Sequence, residues 1–69
     1  MSKRIVFILA DGFEEMEAII PIDLLRRIDL DVVVAGLDTL HVTGAHKLML
    51  STDCAIEDLS TAGVAAVVL

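Results

Sequence analysis

The apolar residues of this chain fall into blocks of two periods. "KRIVFIL" (Lys3 to Leu9) carries a continuous apolar run rich in β-branched residues. Such a run suits a strand buried on both faces, as in a parallel sheet, and predicts a strand over 3–9. Asp11-Gly12 breaks it. From Glu14 the apolar positions recur at helical spacing, which predicts a helix over about 14–28. "DVVVAG" returns to the continuous pattern and predicts a second buried strand over 31–35. "LHVTGAHKLML" (Leu40 to Leu50) reads as a hairpin over 40–50 with Thr43-Gly44 as a two-residue tip. "DCAIEDLS" predicts a short helical turn over 54–60, capped by Asp53. "GVAAVVL" predicts a third buried strand over 64–69. A strand–helix–strand order with a right-handed crossover points to an α/β layered fold with a mostly parallel central sheet.

Composition changes the picture in one respect. Of the 69 residues, 57% are hydrophobic before glycine is counted. An ordinary soluble domain is roughly 45–50% apolar with glycine included, and a small chain has much surface to cover. The expectation is an incomplete single α/β domain over 1–69, partnered by, or continuous with, a further C-terminal segment. A last buried strand with no covering helix points the same way. No apolar run approaches the roughly 18 residues of a membrane span. "IVFILA" is short and lacks a small-residue cleavage site, so it is not a signal peptide. The protein is read as cytoplasmic, with no membrane partner.

The net charge of −6, with five basic against eleven acidic residues and no Trp or Tyr, argues against nucleic acid as a partner. A single cysteine, Cys54, excludes an internal disulfide and a cysteine-rich zinc module. Neither G-x-G-x-x-G nor G-x-x-x-x-G-K-[ST] occurs, so no phosphate-cradling loop and no cofactor is indicated.

"DGFEEMEAIIP" (Asp11 to Pro21) holds four carboxylates within seven residues. Projected at about 100° per residue, Glu15 falls with Asp23, Arg26 and Arg27 on a wet face. Glu17 lies in line with Ile20, Leu24 and Ile28, with Ala18, Ile22 and Leu25 beside that stripe. Asp11 and Glu14 have the D-x-x-E spacing of a capping box. Pro21 removes one hydrogen bond in mid-helix and makes later angles approximate. A carboxyl on a core face prefers to be neutral. Near the carboxyl end of a parallel strand, where open α/β sheets place their sites, a protonated Glu17 could donate a hydrogen bond to a thiolate or oxyanion. A first-turn glutamate that reaches water is the plainer reading, and geometry leaves both open.

Other candidates carry less. Cys54 at a helix start has no local base and reads as a small packing residue. His41 and His46 would face each other across a Thr43-Gly44 turn, but two imidazoles fall short of a zinc site. Asp11 with Asp53 hints at the Mg²⁺ pocket of a phosphoacceptor receiver-like module, which needs a tight carboxylate cluster.

"ILADGFEEMEAIIPIDLLRR", "VVVAGL", "VTGAH" and "STDCAIEDLS" together resemble the N-terminal part of the ThiJ/PfpI superfamily, over essentially all 69 residues. The nearest branch holds the Parkinson's-disease-associated protein and its bacterial thiamine-linked namesakes. The resemblance implies a flavodoxin-like sandwich, a homodimer, and a reactive cysteine on a strand-to-helix elbow. A protonated glutamate supports that cysteine, and the family position falls on Glu17. Gly12 matches the turn that brings the helix to the site, Met16 the helix contact across the dimer, and Arg27 an arginine near interface and pocket. Implied activities are a cysteine-dependent hydrolase or a glyoxalase- or deglycase-like enzyme on small carbonyl compounds. A non-catalytic oxidative-stress sensor or chaperone-like dimer is the alternative. The family's Pro-Gly-Gly loop, nucleophilic cysteine and histidine match nothing in this sequence, so the chain alone lacks the nucleophile. Two positions depart from a family glycine: Asp29, which puts the helix end in doubt, and Lys47 in the hairpin.

Overall fold

The structure is a computed structural model that describes residues 3–60 and 62–69. The elements in chain order are β1 (Arg4–Leu9), α1 (Glu15–Arg27), β2 (Asp31–Gly36), β3 (His41–Thr43), β4 (Met49–Ser51), β5 (Cys54–Ala55), a 3-10 turn (Ile56–Asp58) and β6 (Val64–Val68). Four strands form a parallel sheet in the order β5-β2-β1-β6. β1 and β2 pair without a break from Arg4 opposite Asp31 to Leu9 opposite Gly36. β3 and β4 form a separate antiparallel pair. The fold is α/β with a parallel central sheet and a hairpin.

One face of the sheet builds the core. Phe7 and Leu9 of β1 and Val32 and Val34 of β2 meet Ala18 and Ile22 of α1, and Val42 of β3 closes the side. The inward face of α1 is therefore Glu15, Ala18 and Ile22. This corrects the helical projection. Ile20, Leu24 and Ile28 are all exposed, because at about 100° per residue they project from the side nearly opposite Ile22. α1 has two apolar faces, and the sheet takes the one carrying Ala18 and Ile22.

Both helix ends differ from expectation. No capping box forms: Glu14 is the N-cap residue without a side-chain cap bond, and Asp11 instead accepts from the Thr43 N–H at 2.9 Å. At the other end Asp29 adopts φ 63°. Its N–H donates to the Arg26 carbonyl (3.1 Å), and the Leu30 N–H donates to the Leu25 carbonyl (3.2 Å). That is a closed Schellman arrangement with an aspartate where glycine is usual, so this end is not frayed.

The hairpin tip is longer than two residues. His41 pairs with Ser51, Val42 with Leu50 and Thr43 with Met49. Gly44 and Leu48 then close a loop in which the Lys47 N–H donates to the Gly44 carbonyl and Lys47 adopts φ 73°. This is a type I turn followed by a left-handed residue, a position that favours glycine. His41 consequently faces Ser51, not His46, and its Nδ1 lies 3.0 Å from the Ser51 hydroxyl. Two further expectations fail. Cys54 and Ala55 pair with β2 as a strand, leaving only Ile56–Asp58 helical. β6 lies at the edge of the sheet and is largely exposed rather than buried, since the α1 side chains pack over β1 and β2. Among the described residues no helix is long and apolar enough to cross a membrane.

Candidate functional site

A parallel strand delivers its following loop to the carboxyl edge of the sheet, and ligands of open α/β folds bind there. In this chain that edge holds a cleft of about 470 Å³. Its floor is the end of β1, its walls are the 10–14 loop and the first turn of α1, and Leu37, Val68 and Leu69 close it. Gly12 sits in the loop at φ 92°, a left-handed conformation that only glycine adopts without strain.

Three carboxylates reach the cleft: Asp11, Glu14 and Glu17. Asp11 accepts the Thr43 N–H. Glu14 lies 3.5 Å from Nδ1 of His46. Glu17 has no hydrogen bond or ion pair among the described residues and is exposed. Its place beside Ile20 and Leu24 on the outer side of α1 explains the exposure. Lying on the first turn explains why it still borders the cleft. Pro21 has no N–H, so the Glu17 carbonyl also lacks its usual helical donor.

The other residues singled out in the sequence lie elsewhere. Met16 is exposed on the outer side of α1. Arg27 does not line the cleft; its Nε donates to Asp23 at 3.0 Å, one turn back on the exposed surface. Asp53 accepts from Arg26 (2.7 Å) and from the Val34 N–H (2.8 Å). Asp11 and Asp53 are thus bound to different elements, and the tight cluster of a receiver-like Mg²⁺ pocket does not form. Cys54 is half-buried on β5.

The residue that sequence reasoning misses is Glu15. It is only 4% exposed, although the projection puts it on the wet face. Its Oε2 accepts from the backbone N–H groups of His46 (2.7 Å) and Leu48 (3.4 Å), and His46 Nδ1 donates to its Oε1 (2.9 Å). Burial opposes ionisation of this carboxyl. The His46 side chain and the backbone N–H groups outweigh that and hold its pKa down at about 2. The same hydrogen bond, with the charges of Glu14 and Glu15, raises the His46 pKa. The ligand-type atoms of Glu14, Glu15 and His46 lie within 4.8 Å of one another, but hydrogen bonds already occupy both Glu15 oxygens. A lone glycine at a hairpin tip, Gly44, is the sequence signal that something approaches closely: a Cβ there would collide with the Glu15 carboxyl.

Comparison with known proteins finds relatives of the chain. The sequence model of the DJ-1/PfpI family matches residues 3–69. The chain is 43% identical over 69 residues to the Parkinson disease protein 7 homolog of Danio rerio, covering 99% of this chain and 36% of that protein. It is 47% identical over 66 residues to Protein dj-1beta of Drosophila melanogaster, covering 94% of this chain and 33% of that one. The crystal structure of Drosophila melanogaster DJ-1beta superposes with TM-score 0.89 at 37% identity, over 97% of this chain and 37% of the other. That of VC2308 protein superposes at 0.86 and 37% identity, over 97% and 35%. The chain thus spans about a third of the length of these relatives.

Proposed function

Because the chain belongs to the DJ-1/PfpI family, we propose that it supplies the N-terminal part of a cysteine-dependent hydrolase or glyoxalase- or deglycase-like protein. In this reading Glu17 supports a reactive cysteine contributed by the rest of the protein. The observation that carries it is the position of Glu17. It borders the cleft at the carboxyl edge of β1, and it alone of the three cleft carboxylates has no partner among the described residues. An unengaged carboxyl can give a hydrogen bond to a thiolate when protonated. A sulfur seated against the cleft would be stabilised as the anion, the form that attacks a carbonyl.

The substrate class that fits is a small carbonyl compound or its adduct. Homodimerisation through the outer side of α1 belongs to the same reading. Met16, Ile20, Leu24 and Ile28 make a continuous exposed apolar stripe there, of the kind that marks an interface, with Arg27 beside it.

The test uses the protein extended over the full family length. Glu17→Gln and Glu17→Asp should slow turnover and slow alkylation of the cysteine by about tenfold or more near pH 7, in line with loss of one good hydrogen bond to a charged group. Variants with full activity and unchanged thiol reactivity would remove the role given to Glu17. A peroxide-sensitive thiol without turnover on any carbonyl compound would favour the oxidative-stress sensor or chaperone-like alternative.

A further inference from the structure

We propose that Glu15 is a positioning residue of the cleft: by gripping the hairpin loop, it sets the wall that runs from Gly12 to Glu17. The inference rests on the cleft reading given for Glu17 and adds a residue to it.

The wall has little to hold it from within. Residues 10–14 contain no helix or strand, Gly12 is left-handed, and α1 starts without a side-chain cap. One turn of its own, the Phe13 N–H donating to the Ala10 carbonyl (3.2 Å), is joined by restraint from the hairpin. The Gly12 N–H donates to the Thr43 carbonyl (2.8 Å), and the Thr43 N–H donates to Asp11 Oδ1 (2.9 Å). The Ala45 N–H donates to the Phe13 carbonyl (2.8 Å). Glu15 completes the series with its bonds to His46 and Leu48. These straps run between segments about thirty residues apart in sequence, and Glu15 supplies the buried side chain among them.

Removing a carboxylate from water is expensive, and here two backbone N–H groups and the His46 imidazole offset that cost. What a carboxylate adds is direction. Two oxygens with distinct partners fix both the rotation of the side chain and the register of the loop above it. Gly44 leaves room for that carboxyl and no more. Glu17 lies two residues beyond Glu15 on the same rigid helix, so displacement of the Glu15 anchor moves both the loop and the acid beside the cleft.

Two measurements test this. In the 69-residue chain, Glu15→Gln should shift the backbone amide resonances of Gly12, Phe13 and Glu17 along with those of the hairpin loop. Glu14→Gln, which removes only a 3.5 Å contact, should leave Gly12 in place. In the full-length protein, Glu15→Gln should move the pH profile of cysteine alkylation in the same direction as Glu17→Gln, with about a tenfold slower reaction near pH 7. The double variant should be no slower than Glu17→Gln alone, since both act through one acid. Unmoved Gly12 and Glu17 resonances, or additive losses in the double variant, would overturn the proposal. If Glu17→Gln has no effect on the thiol, the functional reading falls and the amide shifts alone decide the matter for Glu15. If Glu15→Gln does not fold, His46→Ala, which removes the imidazole's bond to Glu15 and its 3.5 Å contact with Glu14 but keeps the backbone donors, carries the same expectation at smaller size.

Discussion

Ile20 and Ile22 flank Pro21 on α1 and invite the same substitution. Each Ile→Val change removes one methylene and carries the same β-branched helix propensity cost, so a difference between them reports burial. Ile22 is 8% exposed and packs in the core with Phe7 and Val34; Ile20 is 49% exposed. A buried methylene contributes about 0.8 kcal/mol by transfer, and the residual cavity brings Ile→Val in a core to about 0.5–1.5 kcal/mol. Ile22→Val should therefore cost about 1 kcal/mol. At Ile20 about half the transfer loss applies and solvent closes any gap, which leaves about 0.4 kcal/mol. With a urea slope of about 1 kcal/mol/M for so small a chain, the midpoint should fall by about 1 M for Ile22→Val and by less than half that for Ile20→Val. Circular dichroism at 222 nm in urea, at low micromolar protein, reads both. Repeating the titration at high concentration separates self-association, which would enlarge only the Ile20 effect. Equal midpoints at low concentration, or a larger loss at Ile20, would mean that the opposite side of α1 faces the sheet.

The Glu15–His46 link gives a pH signature. The Glu15 pKa is depressed from 4.5 to about 2, so its contribution is complete above about pH 4.5 and disappears as pH falls toward 2. The His46 pKa is raised above 6.5, so its contribution is complete below about pH 6.5 and is lost as pH rises through the folded value. Thermal unfolding followed across pH should show both limbs, and His46→Ala should abolish the alkaline limb while keeping the acid one. Gly44→Ala should push the Glu15 carboxyl off its backbone donors and expose the His46 amide to faster hydrogen exchange; unchanged protection would refute the close approach. Lys47→Gly should stabilise the chain by up to about 1 kcal/mol by relieving the left-handed strain, read as a higher urea midpoint, and a lower midpoint would contradict the turn geometry.

The fold class is legible in the sequence because buried parallel strands leave a distinctive trace. "RIVFIL" and "DVVVAG" are greasy on both faces, and a helical stretch between them allows few other layouts. Family membership is legible for a related reason, since "GFEEME…P…DLLRR" combines a turn, a helix start and a proline at set spacing. The left-handed sites at Asp29 and Lys47 are marked by departures from a family glycine, and both adopt positive φ.

Periodicity of one helix could not say which of its two apolar faces meets the sheet. That depends on Val42 and Leu50, which arrive from a hairpin far along the chain. The hairpin register was equally hidden, because Thr-Gly is a weak turn signal and the loop is held by contacts with 10–15 as well as by its own hydrogen bonds. Glu15 is the clearest case. Along the chain it is one more acid on a charged face, and its meaning comes from two backbone N–H groups and an imidazole about thirty residues away. Local pattern determined β1, α1, β2 and their layering, since hydrophobic spacing acts over a few residues. Only the tertiary structure decided which faces are buried and which acids have partners, because those outcomes depend on groups brought together from distant parts of the chain.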